Sequence, residues 1–373
     1  MRCQSSWRSR TALAFAGVLR RCRFRRLGAC YGCASGKGQE NQAKLGGVRL
    51  GVTCVLVLLV SACDERAEPQ GHQLVSASSA ARPSAPSAAR SGVFTLDRDT
   101  RSWRRSSGGL PEAVVVTEFA EQGGRVFAAT GSHGLWQSDD AGQTWRRAES
   151  CKVTQLNAVA ARDGMVLVGT LSQGVVLSQD RGETWVSANQ GLKNLKTRRL
   201  LATAESVLLG TNSGLYRYED AGQRWSHLTG DAQVKGIVAL GKELYMGDVH
   251  GVQRSSDGGA HWKQVLTETP HNLAGIGGDV YALLYAGGVK RSSDRGETWS
   301  DVSHGLPALY TFQILGTPHG ALAAQWDGVY ALEEGTQEWL PLRDGLPSET
   351  AITDLLPLPS GRLLAAAVPS KTN

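Results

Sequence analysis

The stretch Ser292-Ser-Asp-Arg-Gly-Glu-Thr-Trp299 recurs along the chain. Ser138-Asp-Asp140-Ala-Gly142-Gln-Thr-Trp145, Ser178-Gln-Asp180-Arg-Gly182-Glu-Thr-Trp185 and Ser255-Ser-Asp257-Gly-Gly259-Ala-His-Trp262 are full copies, and Asp220-Ala-Gly222-Gln-Arg-Trp225 is a near copy with Tyr218 in place of the serine. Alone, the octapeptide looks like a small acidic site, because it gathers two acids, hydroxyls and an indole. Its repetition argues for scaffolding instead. Working outward, Trp103, Trp145, Trp185, Trp225, Trp262, Trp299 and Trp339 stand 42, 40, 40, 37, 37 and 40 residues apart. Eleven positions before each sits a glycine: Gly92, Gly134, Gly174, Gly214, Gly251, Gly288 and Gly328, always followed by Val or Leu.

Apolar runs such as Val166-Leu-Val-Gly-Thr170 and Ile237-Val-Ala-Leu240 lie upstream of these glycines, so each unit reads as four short strands joined by Gly, Asp, Asn and Ser turns. No stretch of residues 91–373 sustains a 3.6-residue period, and helices are not expected. Four-stranded units at this period predict an all-β, seven-bladed β-propeller. The ends predict its closure: the repeats begin with a third and fourth strand (Ser91–Leu96, Ser102–Arg104) and stop after a first and second (Ile352–Leu356, Leu363–Ala366). Pairing the two halves makes the seventh blade and hides two open sheet edges.

The octapeptides resemble the Asp-box (BNR) repeat over roughly residues 91–373. In the turn itself, the Asp carboxylate can accept backbone N–H bonds and the glycine two residues on can take a positive φ. The tryptophan is expected to bury its indole against the neighbouring blade. Asp140, Gly142, Trp145, Asp180, Gly182, Trp185, Asp220, Gly222, Trp225, Asp257, Gly259, Trp262, Asp294, Gly296 and Trp299 are therefore structural candidates. The resemblance implies that these turns join third to fourth strands, on the face opposite the ligand site.

Asp-box propellers include sialidases and other glycosidases, sortilin-type receptors, and photosystem II assembly factors with their bacterial relatives, so the fold alone names no activity. The arginine-isoleucine-proline motif of sialidases is missing, and the one Tyr-Glu pair, Tyr218-Glu219, is inside a turn. A glycosidase needs two carboxyls roughly 5–10 Å apart. The acids expected on the ligand face, Asp248, Asp327, Glu268 and Glu349, belong to different blades and nothing selects a pair. The residues favour a non-catalytic protein-binding or assembly scaffold, with a divergent glycoside hydrolase or exo-sialidase as the rival.

Propeller topology puts the loops between strands two and three, and those between blades, on the ligand face. They supply the candidate binding residues His133, Asn212, His250, Tyr285, Trp326, Asp327, Arg198 and Tyr310, residue types that protein contacts favour. The expected ligand is a protein or glycan held by a monomeric propeller. Three inter-blade loops repeat Gly-Leu-Pro (Gly109–Pro111, Gly305–Pro307, Gly345–Pro347) and read as rigid turns. The eight histidines show no metal-ligand spacing, and there is no phosphate loop or Gly-x-Ser-x-Gly elbow, so no metal or cofactor is expected.

The net charge of +6 suggests a nucleic-acid partner until it is located. Residues 1–50 hold eleven of the 40 basic residues and one acid, which leaves the remainder at 29 basic against 33 acidic. Nucleic acid is thereby excluded. Six of the seven cysteines also precede residue 64, so Cys151 has no disulfide partner in the repeats. The apolar run Leu50–Val60 is too short to span a bilayer and fits a signal-peptide core. It runs into Leu59-Val60-Ser61-Ala62-Cys63, which resembles a bacterial lipobox and implies lipidation at Cys63. Translation is expected to start near Leu45 or Val48, making 1–47 an extension, 48–62 the signal, 63–90 an Ala/Ser/Pro-rich tether and 91–373 the propeller. The expected location is the bacterial cell envelope, with the lipid anchor as the sole membrane contact.

Overall fold

The computed structural model describes residues 90–97, 99–307 and 310–370. The extension 1–47, the signal 48–62, Cys63 and the tether up to residue 89 lie outside the described residues. Arg90, the last residue of the expected tether, belongs to the folded body: it is buried and its guanidinium lies 2.9 Å from Glu349.

Seven four-stranded antiparallel sheets follow one another as blades of a β-propeller. Blades 1–6 run in chain order from first strands Val116–Gln122, Leu156–Arg162, Thr197–Ala202, Gly236–Leu240, Pro270–Ile276 and Thr311–Thr317. Blade 7 is composite. Its strands are Thr350–Pro357, Leu363–Pro369, Gly92–Asp97 and Ser102–Arg105, and the two halves meet in register, with Gly92 opposite Ala367 and Val93 opposite Ala366. The closure expected from the sequence is observed. The fourth strands are short, down to two residues at Arg146–Arg147, Val186–Ser187, Ser300–Asp301 and Leu340–Pro341, which leaves little edge to recruit another chain.

First strands pack against one another around the axis, and the cores lie between blades. One core, for example, joins Phe94, Trp103 and Leu363 of blade 7 to Leu322, Val329 and Leu342 of blade 6. All seven glycines that open third strands have positive φ, from 75° at Gly134 to 132° at Gly328. A side chain there would oppose the backbone conformation that starts the strand.

The tryptophans tie blades together by a rule that spacing alone did not reveal. The indole N–H of Trp145, Trp225, Trp299, Trp339 and Trp103 donates to the carbonyl three residues beyond the tryptophan of the preceding blade. The acceptors are Ser106, Ala188, Val265, Val302 and Leu342, at 2.7–3.1 Å. In four blades the tryptophan main-chain N–H does the same with the residue five beyond: Trp145 to Gly108, Trp225 to Gln190, Trp339 to His304 and Trp103 to Asp344. This strap explains the Gly-Leu-Pro loops and adds a fourth, Gly191-Leu192. Gly109, Gly191, Gly305 and Gly345 lie so close to the next tryptophan's carbonyl that no Cβ fits.

Candidate functional site

The acidic turns are fully occupied with their own structure. In the turn at Ser292, the serine hydroxyl donates to Asp294 Oδ1 at 2.8 Å and accepts from the Gly296 N–H at 2.7 Å, while Thr298 donates through its N–H and its hydroxyl to the same carboxylate. The turns at Asp140, Asp180 and Asp257 repeat this pattern, with His261 replacing the threonine hydroxyl at Asp257. Thr298 and Thr184 hold Asp294 and Asp180 down to about 2, and Asp140 reaches the same value although partial burial works against it. Gly142, Gly182, Gly259 and Gly296 take φ between 82° and 98°, as expected.

Gly222 does not. With Tyr218 in place of serine there is no hydroxyl to gather the turn, so Asp220–Gly222 winds as a 3-10 turn and Gln223 takes the left-handed conformation at φ 46°. The near copy keeps Trp225 buried and loses the rest of the constellation.

The opposite face is built differently. First strands begin there, and all but that of blade 4 carry a β-bulge near their starts. A bulge turns consecutive residues out of alternation. In blade 5 it presents His271, whose ring stacks on Tyr310 at 3.6 Å and meets Tyr285 edge-on at 5.8 Å. Tyr310 continues to Phe312 at 5.2 Å, and Phe312 to Trp326 at 5.0 Å. One aromatic chain therefore crosses blades 5 and 6. Lys235 stands 3.9 Å over the ring of Tyr285, which is 47% exposed, and Arg198 donates through Nε to Asn212 at 2.6 Å.

Two cations of this face stand apart from its ion pairs. Among the described residues, neither Arg198 nor Lys235 has a carboxylate partner, and partial burial works against the Arg198 charge. Burial, with Arg199 and Lys235 nearby, pushes His271 down to about 3, so its imidazole is neutral. Burial likewise pushes the Tyr310 hydroxyl up.

Of the eight residues singled out by sequence, five gather here: Arg198, Asn212, Tyr285, Tyr310 and Trp326. His133 sits on blade 1, bonded to Ser132, and its main-chain N–H caps the turn through Thr130. The His250 N–H is similarly capped by Asp248, and its ring stands exposed. Asp327 is committed to Arg343 and the Tyr330 hydroxyl, at 2.8 Å each. Asp248 caps its own turn, while Glu268 pairs with Lys290 and Glu349 with Arg90.

Sequence reasoning missed the acids that are unusual. Glu118 and Asp354 occupy equivalent places beyond the bulges of blades 1 and 7, and they line an axial cavity of about 310 Å³ with Arg199, Asn272, Gln313 and Thr353. Burial pushes Glu118 up to about 8 and Asp354 up to about 7, opposed in part by Arg199 and by backbone donors. Each spends one oxygen on the next blade: Asp354 accepts from the Phe119 N–H at 2.7 Å and Glu118 from the Val159 N–H at 2.9 Å. Gln313 does the same for the Leu355 N–H at 2.6 Å. The available signal was a polar residue followed by an apolar one at the same place in five of the seven first strands: Glu118-Phe119, Arg199-Leu200, Asn272-Leu273, Gln313-Ile314, Asp354-Leu355.

No family model matches the chain, and neither does any curated protein. Solved structures do. YCF48 bound to a D1 peptide superposes with a TM-score of 0.57 at 18% identity, over 69% of this chain and 95% of that one. The propeller fold is shared with YCF48. A second example, YCF48 from Cyanidioschyzon merolae, gives 0.56 at 12% identity, over 74% and 98%. The GH74 enzyme of Niastella koreensis gives 0.54 at 14%, over 74% of this chain and 55% of the enzyme. At these identities the likeness concerns the fold, and binders and glycosidases share it.

Proposed function

We propose that this chain is an exported, lipid-anchored Asp-box propeller that binds a protein segment without catalysing a reaction, serving as an assembly scaffold in the bacterial envelope. The observation that carries the reading is the aromatic chain His271–Tyr310–Phe312–Trp326 set beside Arg198 and Lys235, cations without carboxylate partners on the same face. Aromatic and arginine side chains are what protein interfaces concentrate at their centres. Unmatched cations favour an acidic segment. A neighbour of the same fold is known with a peptide bound, which supports a peptide as the ligand class.

Glycoside hydrolysis is the rival. It would fall to Glu118 and Asp354, since Asp327 and Glu268 are held by Arg343 and Lys290. Both channel acids are engaged in blade-to-blade hydrogen bonds, which favours the binding reading. Peptides displayed at random and selected on the purified chain test the choice. Acidic sequences should be enriched, and their binding should fall with Arg198→Glu or Tyr285→Ala. Turnover of fluorogenic glycosides, lost in Glu118→Gln, would replace the scaffold by a hydrolase.

A further inference from the structure

Arg199 stands between the two unusual features of this face. It lines the axial cavity with Glu118 and Asp354, and it also acts electrostatically on His271 and Tyr310 of the aromatic chain. Neither side holds it firmly. Its NH1 is 3.8 Å from Glu118 Oε1, an ion-pair distance without a hydrogen bond, and its Nε reaches the Lys235 carbonyl at 3.4 Å. About a third of its side chain is exposed. The two carboxyls, by contrast, are fixed by the Val159 and Phe119 N–H groups, so any adjustment falls to the arginine.

We propose that Arg199 is shared between the channel carboxyls and the cationic face, so that the protonation of Glu118 and Asp354 sets how strongly the face holds an acidic protein segment. This rests on the binding reading above. When both acids are protonated, the guanidinium keeps its full charge for the face beside Arg198 and Lys235. When they ionise, two negative charges in a weakly screened cavity draw it inward and offset its field. Burial places that change near neutral pH, the range in which a compartment could use it. His271 and Tyr310 feel the same guanidinium electrostatically, and the Lys235 carbonyl accepts from its Nε–H. His271 is neutral throughout the range.

The test is binding of a fluorescein-labelled deca-glutamate peptide to the full chain between pH 6 and 8.5. Wild type should weaken roughly fivefold or more as pH rises, the lower end of ordinary coupling between sites. Glu118→Gln with Asp354→Asn keeps both backbone acceptors and should retain tight binding across the range; Arg199→Gln should bind weakly throughout. Equal pH dependence in wild type and the double variant overturns the proposal. A ligand-free readout separates this from failure of the binding reading. The Arg199 Nε–H resonance should shift near neutrality in wild type and not in the double variant. If it shifts while no probe binds at any pH, the binding reading falls and the coupling stands; if it is indifferent to pH, the coupling falls.

Discussion

The two faces of the propeller treat charge in opposite ways. On the turn face, Asp140, Asp180, Asp257 and Asp294 each satisfy donors of their own turn, and the residue types that look reactive are consumed by structure. On the other face, Arg198 and Lys235 stand beside aromatic rings without carboxylate partners, and Glu118 and Asp354 line the axial cavity instead. A group whose partners are all internal has little left to offer a ligand. Function is better sought where polar groups remain incompletely matched.

Both faces depend on closure, so the largest effect should come from removing it. Truncation at Ser348 deletes Thr350–Pro357 and Leu363–Pro369, the second of which pairs with Gly92–Asp97, and should abolish the cooperative melt of the whole domain, read by circular dichroism. Trp339→Ala comes next. The ring is 1% exposed and its N–H crosses to Val302, so a loss of about 3–5 kcal/mol is expected in urea unfolding, with both faces failing together.

Smaller changes should separate the faces. Glu118 and Asp354 have ordinary values of 4.5 and 3.8 but reach about 8 and 7 in the fold, so the folded chain keeps protons that the unfolded chain releases. Their contribution is therefore full below about pH 4 and is lost as pH rises through 7 to 8. Wild type should have a lower urea midpoint at pH 8.5 than at pH 5.5, and Glu118→Gln with Asp354→Asn should flatten that difference. The turn-face acids have the opposite sign. Asp294 is depressed to about 2, so its contribution is present at neutral pH and lost as pH falls from about 4 through 2. Asp294→Ala should lower the melting temperature at pH 7 and leave deca-glutamate binding unchanged. Smallest in stability is Tyr285→Ala, an exposed position where the melt should barely move while binding drops.

Much of this contrast could be read in the sequence, and the parts that could not have physical reasons. The turns are local: serine, aspartate, glycine and threonine within eight residues make their own hydrogen bonds, so the pattern shows directly. Blade count and closure also follow from spacing, because a repeat that begins at its third strand must end at its second. Gly222 kept the spacing but lost the partner serine, and its conformation changed accordingly. The axial acids were obscured because bulges shift which side chains face the channel, and alternation no longer predicts it. The aromatic chain joins residues from 271 to 326 on two blades, a proximity that the packing of adjacent blades creates. Arg198 and Tyr285 could be placed on the face by topology, but their electrostatic reach to each other could not.

The most direct measurement is site-specific photocrosslinking in cells of the source organism, with benzoyl-phenylalanine at position 285 on one face or at position 295, in the Ser292 turn, on the other. The account predicts protein adducts from position 285 that disappear when Arg198→Glu is added, and none from position 295. Adducts from position 295 that ignore Arg198→Glu, with none from position 285, would contradict it.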